Sequence, residues 1–210
     1  MERIQLVRKK IYDPFLRMIH LILGLSTLIL ILSGILGAWL EQGEETALLW
    51  DIHMTVGYIF ALAILTRILW AFLGPTFARW HELFHFQVWK EVLITKKRPH
   101  LSSFGHDPMA SLAYLGFYFL SLLMVVTGFL VAGIEHGEGP LADWLFDSIW
   151  LTNIYETPHL IGAYLIGGFI LIHIGALIYH EKKERLPLTQ AMISGYQYRH
   201  QQQEEKSETP

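Results

Sequence analysis

Four long apolar runs, separated by short polar segments, dominate the pattern of this chain. Residues 21–40, 108–134 and 157–180 contain no charged side chain, and residues 52–73 contain one, Arg67. About 20 consecutive apolar residues are needed for an α-helix to cross the hydrocarbon core of a bilayer. The pattern therefore predicts an all-α membrane protein, a four-transmembrane-helix bundle, with helices at about 14–40, 50–73, 108–134 and 157–180.

Composition indicates the same class, since 52% of the 210 residues are hydrophobic and only 17% are charged. We find no internal repeat, so residues 1–196 are predicted to form a single domain, followed by a polar tail, 197–210, that is expected to be disordered. Residues 77–95 mix aromatic and charged side chains at helical spacing, which is typical of a helix at the membrane interface. The chain has no cysteine, which excludes disulfides, iron–sulfur clusters and covalent haem attachment.

The positions of the charged residues predict the orientation of the helices. All 16 Lys and Arg residues lie in the N-terminal arm with the start of the first helix, in the end of the second helix with its following loop, or in the C-terminal tail. The connections 41–51 and 135–156 carry acidic residues but no Lys or Arg. By the positive-inside rule, both termini and the 74–107 loop are cytoplasmic. The basic side would face membrane lipid, and nothing in the net charge of −3 indicates a nucleic-acid partner.

Four histidines lie within or beside the apolar runs. His20 and His53 belong to the first and second runs, while His159 and His173 share the fourth. On an α-helix, the interval from position 159 to position 173 rises about 21 Å and turns through about 1400°, so these two imidazoles lie on nearly the same face, one near each side of a bilayer. Ionisable residues inside a membrane are costly and are usually functional.

Topology decides which of these histidines share a depth. The first helix runs outward and the second and fourth run inward, so depth pairs His20 with His173 on the cytoplasmic side and His53 with His159 on the outer side. Two imidazoles at matched depth in a helix bundle can serve as the axial ligands of haem b, which needs no other covalent link. The sequence thus predicts two haem b groups about 20 Å apart.

Two alternatives compete for the same histidines. Zinc prefers tetrahedral sites, often with sulfur or carboxylate ligands, whereas depth matching gives two separate pairs of imidazoles. A purely structural role for all four side chains in the core is the other alternative, and their matched depths argue against it.

Gly57, Arg67 and Arg17 are further candidates for contacts with haem. Gly57, one turn after His53, would let the macrocycle approach the helix backbone. Arg67 would share a helix face with His53, nearer the cytoplasmic side, and Arg17 lies one turn before His20. Both arginines could pair with haem propionates, although either could instead extend to lipid phosphate.

Polar residues at the cytoplasmic boundary are candidates for delivering protons to a quinone. They are His106 and Asp107 before the third helix, and Tyr179 and His180 near the end of the fourth. Histidine suits such a role because its pKa lies near working pH. The alternative is that these are hydrated interface groups.

Several motifs make the chain resemble the bacterial di-haem cytochromes b. RMIH at 17–20, GHDPMASLAYLGFYFLSLLMVVTGF at 105–129 and the helix that holds the last two histidines resemble the membrane subunits of respiratory hydrogenases and formate dehydrogenases. FLGPTFARW at 72–80 and MISGYQY at 192–198 are most similar to the b-type cytochrome subunit of membrane-bound nickel–iron hydrogenases. The resemblance covers nearly the whole chain except the polar tail.

The chain departs from that family in two places. Leu21 follows His20 where the family usually has Trp, and residues 155–158 stand where an Arg commonly precedes the outer histidine of the last helix. Pro158 is expected in the first turn of that helix, where its missing N–H costs nothing.

The resemblance implies an electron-transfer subunit of a respiratory oxidoreductase complex in a bacterial or archaeal cytoplasmic membrane. In the family, a periplasmic iron–sulfur small subunit, bound to a nickel–iron large subunit, delivers electrons from hydrogen. The electrons would enter at the His53/His159 haem, cross to the His20/His173 haem and reduce a quinone near the cytoplasmic side.

Two other functions stay open on the sequence alone. The same cytochrome could serve a molybdoenzyme or a multihaem cytochrome, or act by itself as a quinone oxidoreductase. A haem-free membrane anchor or metal transporter is the alternative from a different class, and it would show no visible absorption.

Overall fold

The computed structural model of this protein describes residues 6–40, 43–96, 108–145 and 152–200. These described residues are mostly helical and form one small sheet. The helices are α1 (Pro14–Trp39), α2 (Glu44–Leu73), α3 (Phe86–Thr95), α4 (Pro108–Val131), α5 (Ala142–Leu145), α6 (Thr152–Glu184) and α7 (Thr189–Ser194). The strands are β1 (Leu6–Lys10) and β2 (Tyr196–His200).

Helices α1, α2, α4 and α6 are long and apolar enough to cross a membrane, which confirms the predicted four-helix class. Helix α2 begins at Glu44, earlier than the apolar pattern indicates, and two glutamates in its first turn favour the positive end of the helix dipole. A π-helical turn, Ala132–His136, continues α4 beyond Val131.

Helix α6 also begins earlier than expected, at Thr152 rather than near residue 157. Pro158 therefore lies inside the helix and not in its first turn. Because proline has no N–H, Pro158 cannot donate to the carbonyl of Ile154. The helix therefore lacks one backbone hydrogen bond directly before His159. The polar residues of the first turn hide this start from the apolar pattern.

The chain forms two compact units. The first draws on residues 1–18, 67–116 and 172–210, and the second on residues 19–66 and 117–171. Each of the four long helices contributes residues to both units.

In the first unit, the two ends of the chain pair as an antiparallel sheet. Leu6 lies opposite His200, and Lys10 lies opposite Tyr196. Residues 197–200, the beginning of the predicted tail, are thus part of β2, and residues 201–210 lie outside the described ranges. The sheet is an addition to the predicted helical fold.

A tight turn leads from α7 into β2. Gly195 has a φ of +85°, and its carbonyl accepts the amides of Ile11 and Tyr12 at 2.9 and 3.1 Å. A Cβ on Gly195 would lie 2.7 Å from the carbonyl oxygen of Tyr12. This position therefore requires glycine, both for its backbone conformation and for the close approach.

The beginning of α1 is held to the end of α2 within the same unit. The carboxylate of Asp13 accepts the amide of Leu16 at 3.0 Å, which caps the first turn of α1. Its other oxygen accepts the indole N–H of Trp70 at 3.2 Å. The ring of Phe15 packs edge-on against Trp70 with centroids 4.5 Å apart.

The segment that follows α2 contains less helix than the sequence predicts. Two 3-10 turns, Thr76–Ala78 and Trp80–Glu82, precede α3, so only the second half of the predicted 77–95 interfacial segment is α-helical. Helix α3 exposes the apolar side chains of Phe86, Leu93 and Ile94. Such a face suits the boundary between headgroups and acyl chains.

We expect Gly195→Ala to destabilise the protein. An L-residue in the left-handed region costs about 1–2 kcal/mol, and the added methyl group would also meet the Tyr12 carbonyl. Gly175→Ala is the matched control, because Gly175 lies within α6 and a Cβ there meets nothing within 4 Å. The measurement is the temperature at which the purified protein aggregates in mild detergent. Equal temperatures for the two variants would contradict the role given to Gly195.

Candidate haem site

Helices α2 and α6 bring two histidines of the second unit close together. The imidazole rings of His53 and His159 have centroids 6.3 Å apart and planes inclined by 70°. Both side chains are half-buried. The site is thus built from single residues on two long helices.

A hydroxyl group on α1 sets the tautomer of His53. The Oγ of Ser33 lies 2.9 Å from Nδ1 of His53, and the same oxygen lies 2.8 Å from the carbonyl of Ile29. Because a serine hydroxyl has one proton, which it donates to the carbonyl, its oxygen accepts the Nδ1–H of the imidazole. The neutral ring then carries its free lone pair on Nε2, the nitrogen available to a metal.

A second hydroxyl group, on α4, forms the equivalent hydrogen bond with His159. The Oγ1 of Thr127 lies 2.9 Å from Nδ1 of His159 and donates to the carbonyl of Leu123 at 2.8 Å. Nε2 of this ring is again left as the acceptor. Hydrogen bonds of this kind set the tautomer and orientation of metal-binding histidines.

Two glycines give the imidazoles room against neighbouring helices. A Cβ on Gly34 of α1 would lie 3.3 Å from Cε1 of His53, and a Cβ on Gly128 of α4 would lie 3.2 Å from Cε1 of His159. Both distances are shorter than ordinary van der Waals contact, so each ring lies directly on a backbone. Each glycine follows the residue that bonds the same ring, Ser33 or Thr127.

The separation of the two rings fits a metal bound between them. An imidazole nitrogen lies about 2.0–2.1 Å from a bound metal, so two opposed ligands place their ring centroids about 6 Å apart. The observed 6.3 Å agrees with that arrangement. Within the described ranges, no group of three or more His, Cys, Asp or Glu side chains could hold a metal ion, whereas axial ligation of haem needs only two imidazoles.

Gly57 leaves space beside α2, one turn after His53. A Cβ at this position would meet only Leu30, with a Cδ2 distance of 4.0 Å. The surface of α2 is therefore open at Gly57, as a flat ligand lying along the helix would require.

The other two predicted ligands fall in different units. His20 is an exposed residue of α1 in the second unit, and His173 is a half-buried residue of α6 in the first unit. Their pairing stays a prediction from helical spacing.

The two arginines predicted to meet propionates have protein partners in the first unit. The guanidinium of Arg17 donates to the carbonyls of Met192, Ile193 and Ser194, at the C-terminal end of α7. A cation at this end of a helix is favourable. Arg67 is buried, and its Nη1 donates to the carbonyl of Ala78 at 3.2 Å.

Two of the four residues predicted to serve a quinone can be placed. His180 bonds through Nδ1 to the carboxylate of Glu184 at 2.8 Å. Tyr179 is exposed, and the ammonium group of Lys183 lies 5.4 Å from its ring centroid. His106 and Asp107 lie outside the described residues.

Sequence reasoning did not single out Ser33 and Thr127. The signal that could have found them is a repeated dipeptide, since Ser33-Gly34 and Thr127-Gly128 each join a hydroxyl residue to a glycine within an apolar run. Ser26 shows why a hydroxyl residue alone is insufficient, because its Oγ bonds only to carbonyls of its own helix, at Ile22 and Leu23.

We expect Ser33→Ala and Thr127→Val each to weaken haem binding. Either change removes one acceptor of an imidazole N–H in a half-buried site and leaves a backbone carbonyl, that of Leu30 or Met124, as the other. Loss of a partner of this kind lowers metal affinity by about 10–100-fold, and the remaining carbonyl places the expected effect near the lower figure. The rate at which purified protein loses haem to excess apomyoglobin measures the effect. Ser26→Ala, a buried serine of the same helix, should behave like the parent protein. Equal rates for Ser33→Ala and Ser26→Ala would refute the assigned role.

Comparisons with known proteins show which proteins this chain is similar to. A family model described as prokaryotic cytochrome b561 matches residues 11–195. The Probable Ni/Fe-hydrogenase B-type cytochrome subunit of Bradyrhizobium diazoefficiens is 29% identical, over 88% of this chain and 84% of the relative.

Two further relatives are similar over the same extent. The Probable Ni/Fe-hydrogenase 1 B-type cytochrome subunit of Escherichia coli strain K12 is 26% identical over 89% of each chain. The Probable Ni/Fe-hydrogenase B-type cytochrome subunit of Rhizobium leguminosarum bv. viciae is 29% identical, over 88% of this chain and 87% of the relative. The predicted resemblance is thereby confirmed. Because the family model matches nearly the full length, this chain belongs to the prokaryotic cytochrome b561 family.

Proposed function

We propose that this chain is a di-haem b-type cytochrome subunit that passes electrons from a periplasmic hydrogenase partner across the cytoplasmic membrane to quinone. Membership in its family implies b-type haem. The observation that carries the proposal is the pair of neighbouring imidazoles, His53 and His159, with ring centroids 6.3 Å apart and each Nδ1 bonded to a hydroxyl group. Haem b, when bound, supplies an iron atom that gains and loses one electron.

The residues of the outer centre hold and orient the two ligands. Ser33 and Thr127 set the tautomers and orientations of the two imidazoles, while Gly34 and Gly128 let the rings lie close to the helix backbones. Neutral partners leave the ligands without the negative charge that a carboxylate would add. Ligands that donate less electron density to the iron favour its reduced state. These hydroxyls would therefore give the haem a higher reduction potential than carboxylate partners would.

His20 and His173 are proposed as the ligands of a second, cytoplasmic haem. The support is the interval between His159 and His173 on α6, about four helical turns, which brings His173 to the depth predicted for His20. Arg67, a buried cation on the same helix as His53, is proposed to face a propionate of this haem. Arg17 already donates to three carbonyls, so its contribution would be to hold the start of α1, one turn before His20.

Quinone reduction is proposed on the cytoplasmic side, where protons are taken up. His180 is paired with Glu184, and an imidazole bonded to a carboxylate can relay a proton from water. Tyr179 beside it, together with His106 and Asp107, completes the proposed proton path.

The proposed partner is the iron–sulfur small subunit of a hydrogenase, bound to its nickel–iron large subunit. The support is the name that the relatives share, since each is called a hydrogenase B-type cytochrome subunit. The acidic connections at 41–51 and 135–156 would form the outer surface available to that partner.

The first test is the haem content of the purified chain, measured by pyridine haemochrome. We expect two b haems per polypeptide, and the loss of one in each of His53→Ala and His173→Ala because each removes one axial ligand. His81→Ala is the control, since this histidine lies on an exposed turn after α2. Well-folded protein without haem, or full haem content in both ligand variants, would contradict the proposal.

The second test addresses the electron donor. The tagged chain, isolated from membranes of its own organism, should carry hydrogenase subunits identifiable by mass spectrometry, and hydrogen gas should reduce its haem absorption bands. Haem bands that respond to dithionite but not to hydrogen would retain the cytochrome and reject the hydrogenase partner.

A further inference from the structure

A line of aromatic rings extends from the proposed outer haem centre to the surface of the second unit. Trp50 lies one turn before His53 on α2, and their rings meet edge-on with centroids 5.8 Å apart. On its other side, Trp50 lies 6.4 Å from the ring of His136, which is exposed. His136, Trp50, His53 and His159 therefore follow one another at separations of 5.8 to 6.4 Å.

The position of Trp50 is fixed by a glycine on the neighbouring helix. A Cβ on Gly37 of α1 would lie 3.1 Å from Cε2 and Cζ2 of the indole, so the ring lies directly on the backbone. Gly34 and Gly37 are one turn apart, as are His53 and Trp50. The two glycines thus form a shallow groove on α1 that holds the haem ligand and the tryptophan side by side.

The position of His136 comes from an irregularity in α4. The turn Ala132–His136 is π-helical and ends at Gly137, which has a φ of +62°. A π-turn is wider than an α-turn and changes the direction in which its side chains leave the helix axis, and such turns recur at functional sites. Here the wider turn places an imidazole against Trp50 at the end of the helix.

We propose that Trp50 is the bridge through which electrons enter the His53/His159 centre from a donor that docks at His136. This inference rests on the proposed function and names its entry point. One electron leaves the donor, an iron–sulfur cluster of the partner, and arrives at the iron held by the two histidines. Trp50 is neither oxidised nor reduced; its packed ring gives stronger electronic coupling than lipid or water in the same space.

The absence of cysteine from the chain allows a direct test. A single cysteine introduced as His136→Cys can be labelled with a thiol-reactive ruthenium bipyridyl complex in the full-length, haem-loaded protein. A light pulse makes the label a one-electron reductant, and the rate of haem reduction is followed from the absorption band of the reduced haem.

We expect Trp50→Leu to slow this reduction several-fold and Trp50→Phe to restore most of the rate, because phenylalanine keeps an aromatic ring in the groove. Trp144→Leu is the matched control, since this indole is 86% exposed in the same unit. Haem content and midpoint potential, measured on each variant, should not change. Reduction of Trp50→Leu at the parent rate would overturn the proposal.

A second label separates bridging from a general disturbance of the haem. When the complex is attached instead at Lys183→Cys, near the C-terminal end of α6, the rate of haem reduction should be the same with and without Trp50→Leu. If Trp50→Leu slows reduction equally from both labels, or if it loses haem while Trp50→Phe also reacts slowly, Trp50 is structural and the proposal fails. Absence of haem from the unlabelled parent would instead reject the proposed function.

Discussion

An imidazole inside a membrane-spanning helix bundle has two ring nitrogens, and each needs a partner where water is scarce. In the second unit, a hydroxyl group is the partner of one nitrogen of each ring, Nδ1. Ser33 and Thr127 accept one N–H from His53 and one from His159, and the remaining lone pairs are left for a shared ligand. The proposed haem would be that ligand, and the two hydroxyls would hold the rings in place for it.

Close approach is the second constraint on this region, and glycine meets it. His53 and Trp50 project from one face of α2 onto Gly34 and Gly37 of α1, one turn apart on each helix. Gly128 of α4 gives His159 the same access. In membranes, helices associate through close packing because lipid offers no hydrophobic driving force, so small residues mark the places where helices and rings meet. Here the glycines lie against the rings of Trp50 and of the two proposed haem ligands. Positions that usually serve helix packing therefore serve the proposed haem site.

The sequence predicts the four long helices because an apolar run of bilayer length has few other outcomes. It also predicts which histidines lie at the same depth, because spacing along a helix translates directly into rise. It does not predict Ser33 or Thr127, since most hydroxyl groups in membrane helices bond their own backbone, as Ser26 does. Only the packing of one helix on another shows which hydroxyl meets a ring.

The remaining surprises involve residues that are distant in sequence or locally ambiguous. Strands β1 and β2 are short, and the residues that pair are distant in sequence. No local pattern in the sequence therefore predicts this sheet. The early start of α6 is hidden because its first turn is polar and contains no apolar periodicity. Pro158 is expected from the sequence to mark the helix start, and it lies instead within the helix, directly before a proposed ligand.

The sheet that joins the two ends of the chain has a consequence for biosynthesis. Strand β1 is translated before the four long helices and β2 after them, so the two strands can pair only once all four helices have been made. The same is true of Arg17, whose acceptors at the end of α7 are also translated late. Closure of the first unit is thus a late step in folding, because it cannot precede the synthesis of all four long helices.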